Sequence, residues 1–285
     1  MRTIEQPGPA PTERIQWVEA RGQHVNVALE PGLRLLDAVQ KVFATHGLAS
    51  GVLRLTGGAF GPFAYVMPTP SDTSRHVAFY GATHRPSGST RVQTGALTFG
   101  LRDGAPFFHC HALWTEADGK SGGGHVLPED TFIADPIRVD GIGLDGVAFE
   151  VEPDAETNFA VLGPTVQNNA GSRAHRRVFA LRMRPNQDVC RALEVFCQDR
   201  GIAAAHIHGG VGSIIGARFA DGRTVEAFAT ELAVQSGAIA PSSGGELEAK
   251  LDVALVDHLG VISEGQLARG DNPVLITMEL VLETL

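Results

Sequence analysis

Two stretches of the chain carry apolar residues at helical spacing, and most of the rest breaks at glycine and proline. The first, "PGLRLLDAVQKVFATHGLASGVLRLTGGAF" from Pro31, opens on proline and runs as an amphipathic helix to Phe43. It breaks at Gly47 and continues as a strand-like segment closing on glycines. The second, "PNQDVCRALEVFCQDRGIAAAHIHGGVGSI" from Pro185, follows the same plan, with Phe196 and Gly201 at the matching places. One apolar face recurring every few residues predicts helices over roughly 33–46 and 187–200. The remaining segments read as short strands.

This correspondence is an internal repeat. Further along, "HALWTEADGKSGGGHV" aligns with "VALVDHLGVISEGQL" after one gap. Each copy ends on an apolar strand containing Glu, "GVAFEVEPD" and "LITMELVLE". The expected organisation is a poorly ordered arm over 1–23, a first domain over 24–158, a turn-rich linker over 159–175 and a second domain over 176–285. One helix and a mostly antiparallel sheet per copy predict the α+β class.

The chemistry concentrates in "HCHALWTEADGKSGGGH", residues 109–125. Residues two apart on a strand share a face, so His109 and His111 aim at one point. The turn over 117–120 and the glycines at 122–124 return the chain and deliver His125 toward the pair. Three converging imidazoles suit a divalent transition metal, zinc above all, and leave a position open for water or substrate. Cys110 points to the opposite face and reads as a small buried hydrophobe.

Composition narrows the function classes. Lys and Arg number 23 against 32 Asp and Glu, a net charge of −9. The first copy holds 9 basic and 15 acidic residues and the second 10 and 14, so neither is a dedicated basic half, which works against a broad electrostatic grip on nucleic acid but leaves room for a local basic patch. Three cysteines lack disulfide-framework spacing, and the opening residues show no apolar signal core. Reduced thiols in a cytoplasmic protein are therefore expected, with no membrane span. "LTGGAFG" and "HGGVGS" lack the ending of a phosphate loop.

Taken together, the helix–Gly–strand opening, the H-x-H, the "DG" turn and the "GGH" resemble the PPC (plants and prokaryotes conserved, or DUF296) domain. The chain is similar to a tandem of two such domains. The resemblance is most specific in the first copy. It implies an antiparallel sheet of about seven strands with a packed helix in each domain, and self-association as a trimer of chains or a pseudo-trimer. It also implies a metal, zinc by preference, on His109, His111 and His125. Plant members carry an R-G-R-P hook for the minor groove, which this sequence lacks. Sequence alignment of the copies places Leu251, Val253 and Gln266 where the first has its three histidines, so the second domain is expected to hold no metal.

Other residues complete the expected site. Glu116, Asp118, Glu129 and Glu150 are the acids nearest in sequence, with Glu150 and Glu116 the candidates for proton transfer. Arg54, and the second H-x-H pair His206 and His208, are candidate contacts to a small anionic ligand. Arg173, Arg176, Arg177, Arg182 and Arg184 read as a solvated strand edge. The leading functional reading is a metal-dependent enzyme of hydrolase or lyase type acting on a small anionic or carbonyl-containing molecule. The alternative is a DNA-associated or small-ligand-binding module with a structural metal.

Overall fold

The structure is a computed structural model that describes residues 1–167 and 175–285. In chain order the elements of the N-terminal half are β1 (Ile15–Leu29), α1 (Leu35–Thr45), β2 (Ser50–Thr56), β3 (Ala59–Phe60), β4 (Tyr65–Val66), β5 (Pro68–Pro70), β6 (Ala78–Tyr80), β7 (Thr90–Arg102), β8 (Ala105–Thr115), β9 (Ser121–Val126), β10 (Ile133–Asp135), β11 (Ile137–Asp145), β12 (Val147–Pro153) and β13 (Ala160–Val166). The C-terminal half follows with β14 (Arg176–Met183), α2 (Val189–Asp199), β15 (Ala205–Arg218), β16 (Thr224–Pro241), β17 (Leu247–Asp257), β18 (Ile262–Gln266) and β19 (Val274–Thr284).

The expected α+β class is overturned. Among the described residues strands take 58% and helices 8%. Among these residues seventeen strands form one continuous, curled and mostly antiparallel sheet in place of two separate sheets of about seven, and β5 and β6 pair apart. The helical pattern was real but short: each helix has 11 residues. Their positions match the periodicity, and Leu35, Val39 and Phe43 of α1 and Val189, Leu193 and Phe196 of α2 enter the cores.

The internal repeat is visible in the strand ladder. In the N-terminal half β1 pairs β11, β11 pairs β2, β2 pairs β7, β7 pairs β8 and β8 pairs β9. In the C-terminal half β14 pairs β19, then β15, β16, β17 and β18 follow in the same order. The halves are joined edge to edge by β1 and β14, from Ile15 opposite Met183 to Gly22 opposite Arg176. Alternation along β1 lets one 15-residue strand serve both halves: residues 15–22 pair with β14 and residues 21–29 with β11.

Three expectations about connections change accordingly. Of the 1–23 arm, residues from Ile15 onward are already β1. Ahead of it, the Arg2 amide donates to Asp271, the Gln6 side chain to the Leu275 carbonyl and the Gly8 amide to the Glu156 carbonyl, so the segment lies strapped along the fold. The 159–175 linker contains β13, which pairs with β12; residues 168–174, with Arg173, lie outside the described residues. Nor is β14 a solvated edge. It is paired on both sides, and Arg182 is buried against Asp154. Among the described residues no helix is long and apolar enough to cross a membrane.

Candidate metal centre

The hairpin of β7 and β8 turns on Asp103 and Gly104, both at positive φ, the backbone that a tight two-residue hairpin requires. Along β8 the side chains then alternate. Phe108, Cys110, Ala112 and Trp114 enter the helix-side core, and His109 and His111 face the C-terminal half. His125 on β9 stands directly opposite His111 in the ladder. The glycines before it are strand residues in close quarters. A Cβ on Gly122 would lie 2.6 Å from the Trp114 indole nitrogen, and one on Gly123 would lie 2.5 Å from Leu113.

The three imidazoles converge, with one nitrogen of each lying within 4.8 Å of the others. The outward nitrogens fix the tautomers. His111 Nδ1 donates to the Leu232 carbonyl at 3.0 Å, and His109 Nδ1 donates to Glu279 at 2.9 Å. The two Nε2 atoms face each other at 3.1 Å. Two imidazole nitrogens at that distance share a cation between them, a proton or a metal ion. The separation is close to the edge of about 3.3–3.4 Å of a tetrahedron with ordinary zinc–imidazole bonds. His125 Nδ1 is buried and has no hydrogen-bond partner. Burial, followed by the neighbouring His109, holds the His111 and His125 imidazoles well below their usual range, so both are neutral at pH 7. The donor set fits a transition metal.

The acids at this centre come from the other half of the chain. Glu279, on β19, is fully buried and orients His109. Glu231, on β16, has Oε1 3.8 Å from His111 Nε2, while its Oε2 is buried and unpartnered. Burial pushes its carboxyl up to about 8. Above the cluster is a cavity of about 360 Å³ walled by Phe79, Tyr80, Phe107, Phe159 and Arg102. Tyr80 lies with its ring centroid 5.0 Å from that of His125.

Of the four acids expected from sequence proximity, only Glu129 lines the cavity. Glu116 sits at the far end of the β8–β9 hairpin, where its amide donates to the Lys120 carbonyl. Glu150 points away from Val151, which lines the cavity, and accepts from Gln167 at 2.8 Å. Asp118 accepts from the Lys120 amide, and Glu129, on the cavity wall, accepts from Arg34. Arg54 is consumed by the Gln235 carbonyl and Asp140, and His208 by Glu283; neither lines the cavity, and nor does His206. The residues missed, Glu231 and Glu279, leave one trace in the sequence: an acid inside an apolar strand, "ATELAV" and "ITMELVLE".

The second copy needs a correction of register. His111 opposes His125 in the ladder, and Asp252 opposes Gln266. The counterparts of His109 and His111 are thus Lys250 and Asp252, whereas Leu251 and Val253 belong to the core beside α2. Lys250 is exposed, and Asp252 accepts from the Ser236 hydroxyl at 2.8 Å.

Comparison with known proteins finds a family model that matches part of the chain. Residues 170–285 match the Plants and Prokaryotes Conserved (PCC) domain, so the match falls on the second copy. Three crystal structures are similar. A plant- and prokaryote-conserved protein of Pyrococcus horikoshii is 16% identical, covering 53% of this chain and 96% of its own, with a TM-score of 0.41. A metal-containing protein of Archaeoglobus fulgidus is 18% identical, covering 51% and 96%, also at 0.41. A Ralstonia eutropha protein, named only conjecturally as DNA-binding, is 16% identical, covering 48% and 89%, at 0.37. No curated protein matches the chain. Through residues 170–285 this chain carries a Plants and Prokaryotes Conserved domain.

Proposed function

We propose that His109, His111 and His125 hold a divalent transition metal, zinc by preference, and that the cavity above them performs hydrolase- or lyase-type chemistry on a small carbonyl-containing anion. The convergence of three imidazole nitrogens within 4.8 Å of one another, with the Nδ1 atoms of His109 and His111 turned outward to acceptors, carries this reading. Bound there, the metal supplies Lewis acidity, polarising a carbonyl or acidifying water.

The chain supplies the rest. Glu279 holds His109 in one tautomer and orientation, as an outer carboxylate does for a ligating imidazole. Glu231 reaches the same point with a free oxygen and is placed to take and return a proton. Arg102, at the cavity mouth, stacks on Phe107 with its guanidinium carbon 3.6 Å from the ring centroid. It has no carboxylate partner among the described residues, which leaves its donors for an anionic substrate group. The aromatic wall offers apolar surface to the rest of the substrate.

Metal content of untagged protein by plasma mass spectrometry, followed by a screen of small carboxylates, esters and lactones, tests the reading. Metal-free protein that gains no activity with zinc on any of these would overturn the catalytic part. With a substrate in hand, Glu231→Gln is expected to lower kcat by about 10²–10⁴-fold at unchanged metal content. Arg102→Ala is expected to raise KM about tenfold or more with kcat little changed, the pattern of lost uniform binding. An Arg102→Ala variant with wild-type KM would remove it as the anion contact.

A further inference from the structure

A second imidazole–carboxylate cluster lies on the same sheet face, outside the cavity. Glu283 follows Glu279 by four residues on β19. Its side chain therefore projects to the same side, about 13 Å further along the strand. Its Oε2 meets two imidazole nitrogens, His208 Nε2 at 2.5 Å and His24 Nε2 at 3.1 Å. All three atoms lie within 4.8 Å of one another. The contributing strands are β1 from the N-terminal half and β15 and β19 from the C-terminal half.

The surroundings are those of a built site. The other carboxylate oxygen of Glu283 accepts from Arg176, which fixes the plane of the carboxylate and leaves Oε2 facing the imidazoles. The His206 ring stands 4.6 Å from that of His208 and offers a fourth nitrogen donor nearby. The His208 and Glu283 side chains are only 6% and 5% exposed, whereas that of His24 is 47% exposed, so the cluster is deep but open from one side. As an ion network it is redundant, because Arg176 alone balances the charge of Glu283. Two imidazoles and one carboxylate, however, form a recognised ligand set for zinc.

We propose that His24, His208 and Glu283 form a second divalent-cation site, for zinc or a similar borderline ion, distinct from the three-histidine centre. Its ligands come from both halves, so the ion clamps β1 onto the C-terminal sheet.

The test uses the untagged full-length chain, stripped of metal and titrated with Zn²⁺ in equilibrium dialysis at neutral pH. His24→Ala removes a largely exposed side chain and leaves the fold intact. It is expected to lose one equivalent of zinc relative to wild type, or to bind that equivalent at least tenfold more weakly. His24→Ala/His208→Ala is expected to lose it outright. His109→Ala/His111→Ala is expected to retain it, which separates failure of this site from failure of the first. Zinc binding by His24→Ala equal to wild type in number and affinity would overturn the proposal.

Discussion

His109→Ala/His111→Ala protein is expected to emerge from purification without the transition metal proposed for the wild-type centre. Loss of one outer partner of a metal ligand typically weakens binding about 10–100-fold, so loss of two direct ligands should exceed that range. The fold should survive. Both side chains face the C-terminal half, and the β7–β8 and β8–β9 ladders that hold this hairpin are made by backbone groups. Glu279→Gln provides the graded control. It keeps an acceptor for His109 Nδ1 but removes the charge, so metal affinity should fall about 10–100-fold and no further. Plasma mass spectrometry reads metal content, and far-ultraviolet circular dichroism reads the fold. Equal metal in the wild type and the double variant would dispose of the three-histidine centre, whatever the cavity above it does.

How much of this centre could be read in advance follows from the range of the signals. The H-x-H face, the turn behind it and the return to His125 are local, and period-two alternation alone puts both histidines on one side of β8. Glu231 and Glu279 are more than a hundred residues further along the chain. They reach His111 and His109 only because the second half packs on the first, and no short-range pattern reports that packing. Nearness in sequence pointed to Glu116 and Glu150, which the strands carry elsewhere. The second copy shows the same limit more sharply. One residue of slip exchanges Leu251 and Val253 for Lys250 and Asp252, turning core positions into face positions. The fold class failed for a different reason. The two helices were legible from their periodicity, but their weight against the strands was not. Neither was the use of β1 and β14 to merge two ladders into one sheet, since the pairing depends on which edges are left open once each half has folded.

Asp154→Ala is expected to be among the most destabilising single substitutions in the chain. Arg182 and Asp154 are each 3% exposed and hydrogen-bonded to each other. Burial lowers the Arg182 pKa, an effect that the charge of Asp154 partly offsets. Taking the carboxylate away leaves a guanidinium buried without its counter-charge, at a cost of about 3–5 kcal/mol. Chemical denaturation should show this as a lower midpoint with an unchanged slope. Asp154→Ala/Arg182→Met should recover most of the loss, because an apolar replacement of a buried pair is often neutral or better. A cost below about 1 kcal/mol for the single variant would place the pair with ordinary surface ion pairs and refute its buried role. The consequence extends to the cavity. Asp154 also accepts from the Glu156 amide and the Thr157 hydroxyl, and its amide donates to the Phe159 carbonyl. It thus holds the turn that carries Phe159, Ala160 and Val161 to the cavity wall. The three imidazoles ride on a different hairpin. Loosening this turn should therefore leave metal content intact and weaken the grip on substrate, a separation that assigns the wall and the metal to independent parts of the fold.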